Sequence, residues 1–185
     1  MTDLNQSVVP AGPLLQVALL EPEIPPNTGN IARLCAATGS PLHLVEPLGF
    51  RLTDHAVQRA GLDYWDSVQI VRHMNFEAFC GSVAPARLFF FSTRAKQSYL
   101  DAAYRPGDAL VFGSEHRGLA DEILDAHADQ VFGIPMQAAK VRSLNLANSV
   151  SIVLYEALRQ AQGMTIGLSP GRSDRRHANM PSGLR

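Results

Sequence analysis

Short apolar runs recur along this chain and do not alternate with polar residues. LLQVALL (14–20), LHLVEP (42–47), SVQIV (67–71), RLFFFST (87–93), ALVFG (109–113) and VFGIP (131–135) are the six. A strand with one wet face alternates apolar and polar side chains. A nearly continuous run is a strand buried on both faces, the habit of parallel sheets covered by helices. The stretches between them carry helix signals. Residues 30–38 have Ile, Leu and Ala spaced for one buried side, with Gly39 as a natural stop. TDHAVQRAG (53–61) is bracketed by Thr53 and Gly61, NFEAFCG (75–81) makes a turn or two, and LADEILDAH (119–127) is helical. The longest helix is predicted from Leu146 to Ala161, where Leu146, Val150, Val153, Leu154, Ala157 and Leu158 form one stripe. Strands alternating with helices predict an α/β domain around a mostly parallel sheet. The 185 residues suffice for one such domain. The expected organisation is a disordered lead (1–13), a single domain (14–161) and a flexible, Arg-rich tail (162–185).

Several functions are disfavoured. No GxGxxG follows the first strand, as a dehydrogenase-type dinucleotide site requires, and no GxSxG marks a hydrolase nucleophile. GSEHRGL has Leu119 where a phosphate-binding P-loop needs lysine. Cys35 and Cys80 lack metal-ligand spacing and the six histidines form no cluster, so no metal is expected. The first residues, MTDLNQSVVPAGP, do not read as a signal peptide, and no run approaches the roughly 20 apolar residues of a membrane span. A cytoplasmic protein is the expectation. Formal net charge is −1, so a nucleic-acid partner would have to meet locally clustered cations.

In open α/β sheets ligands bind beyond the carboxyl ends of the strands. Four such loops carry polar chemistry. In EPEIPPNTGNIAR, Pro25 and Pro26 stiffen the approach to the helix, Asn27 or Thr28 can cap it, and Gly29 allows close backbone approach. Asn30 and Arg33 share the helix rim, either toward a ligand or simply in solvent. FGSEHRGLA (112–120) brackets Glu115, His116 and Arg117 between Gly113 and Gly118, as a ligand loop or a charged surface turn. IPMQAAKVRSLNLANSV (134–150) sets Ser143, Asn145, Asn148 and Ser149 around the start of the long helix, where caps are ordinary. FSTRAKQ (91–97) adds Thr93, Arg94 and Lys96.

The ordered set NTGNIARLCAATG, FGSEHRGL and IPM…RSLNLANSVSIVLYEALRQ resembles the SPOUT methyltransferases, the knotted S-adenosylmethionine-dependent RNA 2′-O-methyltransferases. LLEPEIPPNTGNIARLCAATG, LHLVEPLGF and RAGLDYW are most similar to the TrmL type, which methylates the ribose of the wobble nucleotide, cytidine or modified uridine, in certain leucine tRNAs. The resemblance spans roughly residues 15–160. It implies a trefoil knot in the C-terminal half that draws the loops at 91–93, 113–118 and 134–143 into a cofactor pocket. It further implies S-adenosyl-L-methionine as methyl donor, with Phe91, Gly113, Ile134, Ser143 and Asn145 as its contacts. Arg33 matches the family's catalytic arginine, Asn30 is matched to the asparagine of the same motif, and Glu115 to another motif position. A homodimer built on the long helix is implied, with tRNA as partner. Arg33, Arg51, Arg59, Arg72, Arg94, Lys96 and Lys140 are candidate cations for the RNA.

Two features depart from that pattern. The loop MQAAKVRS is one residue longer than usual and adds Lys140, and the tail with Arg172, Arg175, Arg176 and Arg185 lies beyond it. A related enzyme acting at another tRNA site or on rRNA, a catalytically silent RNA-binding relative, and a small-molecule nucleotide-binding protein are the alternatives.

Overall fold

A computed structural model describes residues 12–51, 67–137 and 141–162. The expected helix at 53–61, the tail from 163, most of the lead and Lys140 lie outside the described residues. Strands β1 (Leu15–Leu20), β2 (Leu42–Val45), β3 (Ile70–His73), β4 (Leu88–Phe91), β5 (Gln97–Ser98), β6 (Asp108–Phe112) and β7 (Val131–Gly133) form one sheet. Their order is β3-β2-β1-β6-β4-β7-β5, and every pairing is parallel. The helices are α1 (Pro25–Thr38), α2 (Phe76–Val83), α3 (Asp121–Ala126) and α4 (Leu146–Ala161).

The apolar runs do what continuous burial demands. Leu15, Val17, Leu19, Leu110 and Phe112 face one side of the sheet and pack with Ile31 and Cys35 of α1 and Val150, Val153 and Leu154 of α4. Their neighbours Ala18, Leu20, Ala109 and Val111 face the other side, against Phe79 and Val83 of α2 and Leu124 of α3. Each buried Val or Leu contributes about 2 kcal/mol. The stripe on α4 is buried along its length, as its spacing predicts. At the amino ends of β4 and β6, Arg87 makes a forked pair with Asp108, at 2.9 and 2.6 Å, which also receives the Arg105 N–H at 2.7 Å.

Two boundaries and one added strand depart most from the sequence expectation. Helix α1 begins at Pro25, five residues before the predicted start at residue 30. Proline's fixed φ suits the first helical turn, and its missing N–H would be unpaired there anyway. Ile24 is therefore the N-cap, and Asn27, Thr28 and Gly29 lie inside the helix. Strand β3 occupies Ile70–His73 rather than 67–71. The two-residue edge strand β5 follows β4, in a loop too polar and short to signal a strand.

Under the β1–β2–β3 edge lies a buried polar chain. His73 and His43 are 6% and 5% exposed, with His73 Nε2 2.9 Å from His43 Nδ1. His43 Nε2 is 3.2 Å from Gln16 Oε1, and the Gln16 amide donates to the Gly107 carbonyl at 3.3 Å. Both rings lie edge-on to Phe79. Two neutral imidazoles satisfy this chain in one direction: His73 donates to His43, which donates to Gln16. Burial, aided by the neighbouring His73, pushes the His43 pKa down to about 4, and burial lowers His73 too.

The unfolded chain binds a proton at His43 near pH 6.5, whereas the folded chain resists until about 4. Stability is therefore full above pH 6.5 and falls as pH drops toward about 4, by roughly 3 kcal/mol from His43. Urea unfolding across that window should show the loss, and His43→Leu should flatten its slope.

Candidate active site

A cleft of about 510 Å³ opens beyond the carboxyl ends of β4, β6 and β7, beside the start of α1. The strand order reverses beside it, between β1 and β6, with β2 and β3 leaving β1 on one side and β6 and β4 on the other. Its walls bring together loops far apart in sequence: Phe91 to Arg94, Gly113 to Leu119, Ile134 and Met136, and Arg142 to Leu146. The volume lies in the range of small-molecule sites.

Local chemistry explains the shape of the 113–118 loop. Ser114 and Gly118 exchange backbone hydrogen bonds of 3.2 and 2.9 Å, and Gly118 has φ +71°. A Cβ on Gly113 would lie 2.0 Å from the Gly118 carbonyl carbon, so only glycine lets the loop close on its own root. The closed loop projects Glu115, His116 and Arg117. Glu115 takes the N–H of Glu23 at 2.7 Å, that of Ile24 at 3.2 Å and the Asn27 amide at 2.9 Å. Ile24 is the N-cap of α1 and Glu23 precedes it, so the carboxylate sits at a helix start, where N–H groups lack intrahelical partners and negative charge is favoured. His116 contacts the Glu23 carboxylate and holds it below the usual carboxylate range. Arg117 lies 3.6 Å from Glu21 and 3.7 Å from Glu23.

The polar chain continues into the last helix. The Asn145 amide donates to Asn27 Oδ1 at 2.9 Å, while Asn145 Oδ1 accepts the N–H groups of Ala147, at 2.9 Å, and Asn148, at 3.3 Å. Asn145 is thus the N-cap of α4 and ties it to α1. Glu115, Asn27 and Asn145 form one network joining three cleft elements.

The cleft contains Phe91, Gly113, Ile134, Ser143, Asn145 and Glu115 together. It does not contain Asn30 or Arg33 of the same chain. Both stand on the exposed face of α1, one turn apart. Asn27, read from sequence only as a possible cap, is the buried asparagine of this segment, 6% exposed, in the network. Its place follows from helix spacing: residue 27 falls one turn before buried Ile31, and residue 30 one turn before exposed Arg33. Arg142 was not singled out from sequence, yet it lines the cleft. Cys35, its pKa pushed up to about 12 by burial, and Cys80, also raised, are poor nucleophiles at neutral pH. Among the described residues no cluster of three His, Cys, Asp or Glu could hold a metal ion, and no helix is long and apolar enough to cross a membrane.

Comparison with known proteins gives a consistent result. A sequence model of the SpoU rRNA Methylase family matches residues 14–155. A tRNA (cytidine(34)-2'-O)-methyltransferase of Burkholderia pseudomallei is 51% identical over 151 residues, which cover 80% of this chain and 96% of the relative. One from Escherichia coli K12 is 49% identical over 148 residues, covering 80% and 94%. A structure solved for insight into the 2-OH methylation of C/U34 on tRNA superposes with a TM-score of 0.76 at 48% identity, over 79% of this chain and 95% of the other. The AdoMet-bound rRNA methyltransferase from Sinorhizobium meliloti gives 0.70 at 27% identity, over 80% of this chain and 60% of the other.

Removing the central carboxylate should loosen α1. Glu115→Ala leaves three donors without their acceptor and should cost about 2–3 kcal/mol in urea unfolding, Glu115→Gln less. Gly113→Ala should cost about 3 kcal/mol by the same measurement, because the Gly118 backbone cannot yield as a side chain would.

Proposed function

The chain belongs to the SpoU rRNA Methylase family, and from that membership we propose that it transfers a methyl group from S-adenosyl-L-methionine to the 2′-hydroxyl of the wobble nucleotide, C34 or a modified U34, of leucine tRNAs. The observation that carries this reading is the meeting of the three loop motifs in one cleft beyond the carboxyl ends of the strands. A threaded C-terminal crossing, which the resemblance implies, belongs to the same reading, and the convergence of those loops supports it.

The residues fit the cofactor. Phe91, Phe112, Leu119, Ile134 and Leu146 give apolar walls for an adenine and ribose, and Gly113 keeps its position free of a side chain. Ser143 and the loop backbones offer hydrogen-bonding groups around them. When bound, the cofactor supplies an electrophilic methyl on sulfur. The chain's own task is to present a ribose hydroxyl in line with it and to help its proton leave. Glu115, Asn27 and Asn145 act by position, holding the starts of α1 and α4 at fixed places around the cleft. Arg33 contacts the target nucleotide and stabilises the developing alkoxide. A guanidinium stays charged at working pH, so Arg33 serves as an electrostatic support and not as the base. Asn30, one turn away on the same face, shares that surface.

Arg33 and Asn30 do not line the cleft of their own subunit, which suits a homodimer in which α1 of one subunit faces the cleft of the other. Ile152 and Tyr155, 38% and 49% exposed on one face of α4, supply an apolar surface for such contact. Location in the cytoplasm follows from the substrate.

Labelled S-adenosylmethionine incubated with total tRNA lacking this modification should yield label on the wobble ribose of leucine tRNA. Label elsewhere would move the substrate, and no label on tRNA would sink the reading. Arg33→Ala should lower kcat/KM at least about 100-fold, whereas Arg33→Lys tests whether the planar fork is needed. Sedimentation at micromolar concentration should give twice the 20.1 kDa of one chain.

A further inference from the structure

The cleft carries five ionisable side chains, and four are already committed. Glu115 is filled by the start of α1. Arg94 pairs with Asp121, His116 with Glu23, and Arg117 lies near Glu21 and Glu23. Arg142 lines the same cleft and enters no ion pair or hydrogen bond among the described residues. It is exposed and stands three residues before Asn145, the N-cap of the 16-residue helix α4. That helix end is a positive pole. One uncompensated guanidinium therefore stands at the solvent edge of the cleft with a second source of positive potential behind it.

We infer that Arg142 binds a phosphodiester flanking the target ribose. The inference rests on the proposed reaction. A ribose presented by its 2′-hydroxyl brings its 3′-phosphate along, because the carbons bearing the two oxygens are directly bonded. The phosphate must then lie at the mouth, not in the apolar interior. Arginine's planar fork suits two phosphate oxygens, and no neighbouring carboxylate among the described residues competes for it. The cofactor's carboxylate is the competing anion, and the test separates the two.

Unmodified tRNA binding is measured as a function of salt for the wild type, Arg142→Ala and Arg142→Lys, alongside binding of S-adenosylhomocysteine and of methylthioadenosine, which lacks the carboxylate. Arg142→Ala should weaken tRNA binding about tenfold. It should lower the slope of log affinity against log salt by about 0.7, the value for one lost single-strand phosphate contact. Both nucleosides should bind as before. Arg142→Lys should keep the slope and recover part of the affinity. Weaker S-adenosylhomocysteine binding with unchanged methylthioadenosine binding would assign Arg142 to the carboxylate and overturn the inference. Unchanged tRNA binding and slope in Arg142→Ala, with an active wild type, would overturn it and leave the proposed reaction standing. A wild type that binds no tRNA would overturn both.

Discussion

The Glu115 carboxylate is the point through which the cleft is held together. It arrives on a loop rooted at the end of β6 and accepts two backbone N–H groups at the start of α1, 2.7 and 3.2 Å away, together with the Asn27 amide at 2.9 Å. A helix start buried without acceptors would be costly, and a carboxylate there meets both the orphan donors and the helix dipole. Because Asn27 passes the connection to Asn145, the starts of α1 and α4 cannot shift independently. Three polar side chains thereby convert three separate loops into one wall.

That network needs a rigid base, which the sheet provides. β1 and β6 pair in parallel over five residues at the centre, and both faces of the sheet are covered. Parallel strands place all their carboxyl ends on one edge, so loops after β1, β4, β6 and β7 meet although they are far apart in sequence. Gly113 then settles how near the β6 loop can fold back. Its missing side chain makes room first for the Gly118 backbone, and only through that closure does the loop reach the α1 start.

Sequence carried much of this and missed the rest for identifiable reasons. Continuous burial leaves a strong pattern, so β1, β2, β4, β6 and the whole of α4 were legible. The start of α1 was not, since two prolines read as a stiff loop while their geometry also suits a first helical turn. That five-residue shift brings Asn27 inside the helix, on the buried side with Ile31, where it joins the network. The His43–His73 pair was invisible because its partners lie on adjacent strands 30 residues apart. Arg142 was hidden for a different reason. Its distinction is the lack of a partner among the described residues, and that appears only once the partners of Arg94 and Arg117 are known.

The pairing of those other cations bears on how a chain of net charge −1 could recognise a polyanion. Arg72, Arg87, Arg94, Arg117 and Arg159 are each associated with carboxylates within this chain. Such pairs fix local geometry and leave little long-range field. Among the described residues, salt-dependent affinity would then come from a few positions around the cleft. On the proposed reading this favours substrates that can place one ribose and its phosphate at the mouth, as an unpaired loop can. A regular duplex keeps its ribose and phosphates in a fixed helical array, and a few local contacts would do little to deform it. Selectivity for a loop nucleotide would thus follow from how the charges are spent as much as from the shape of the cleft.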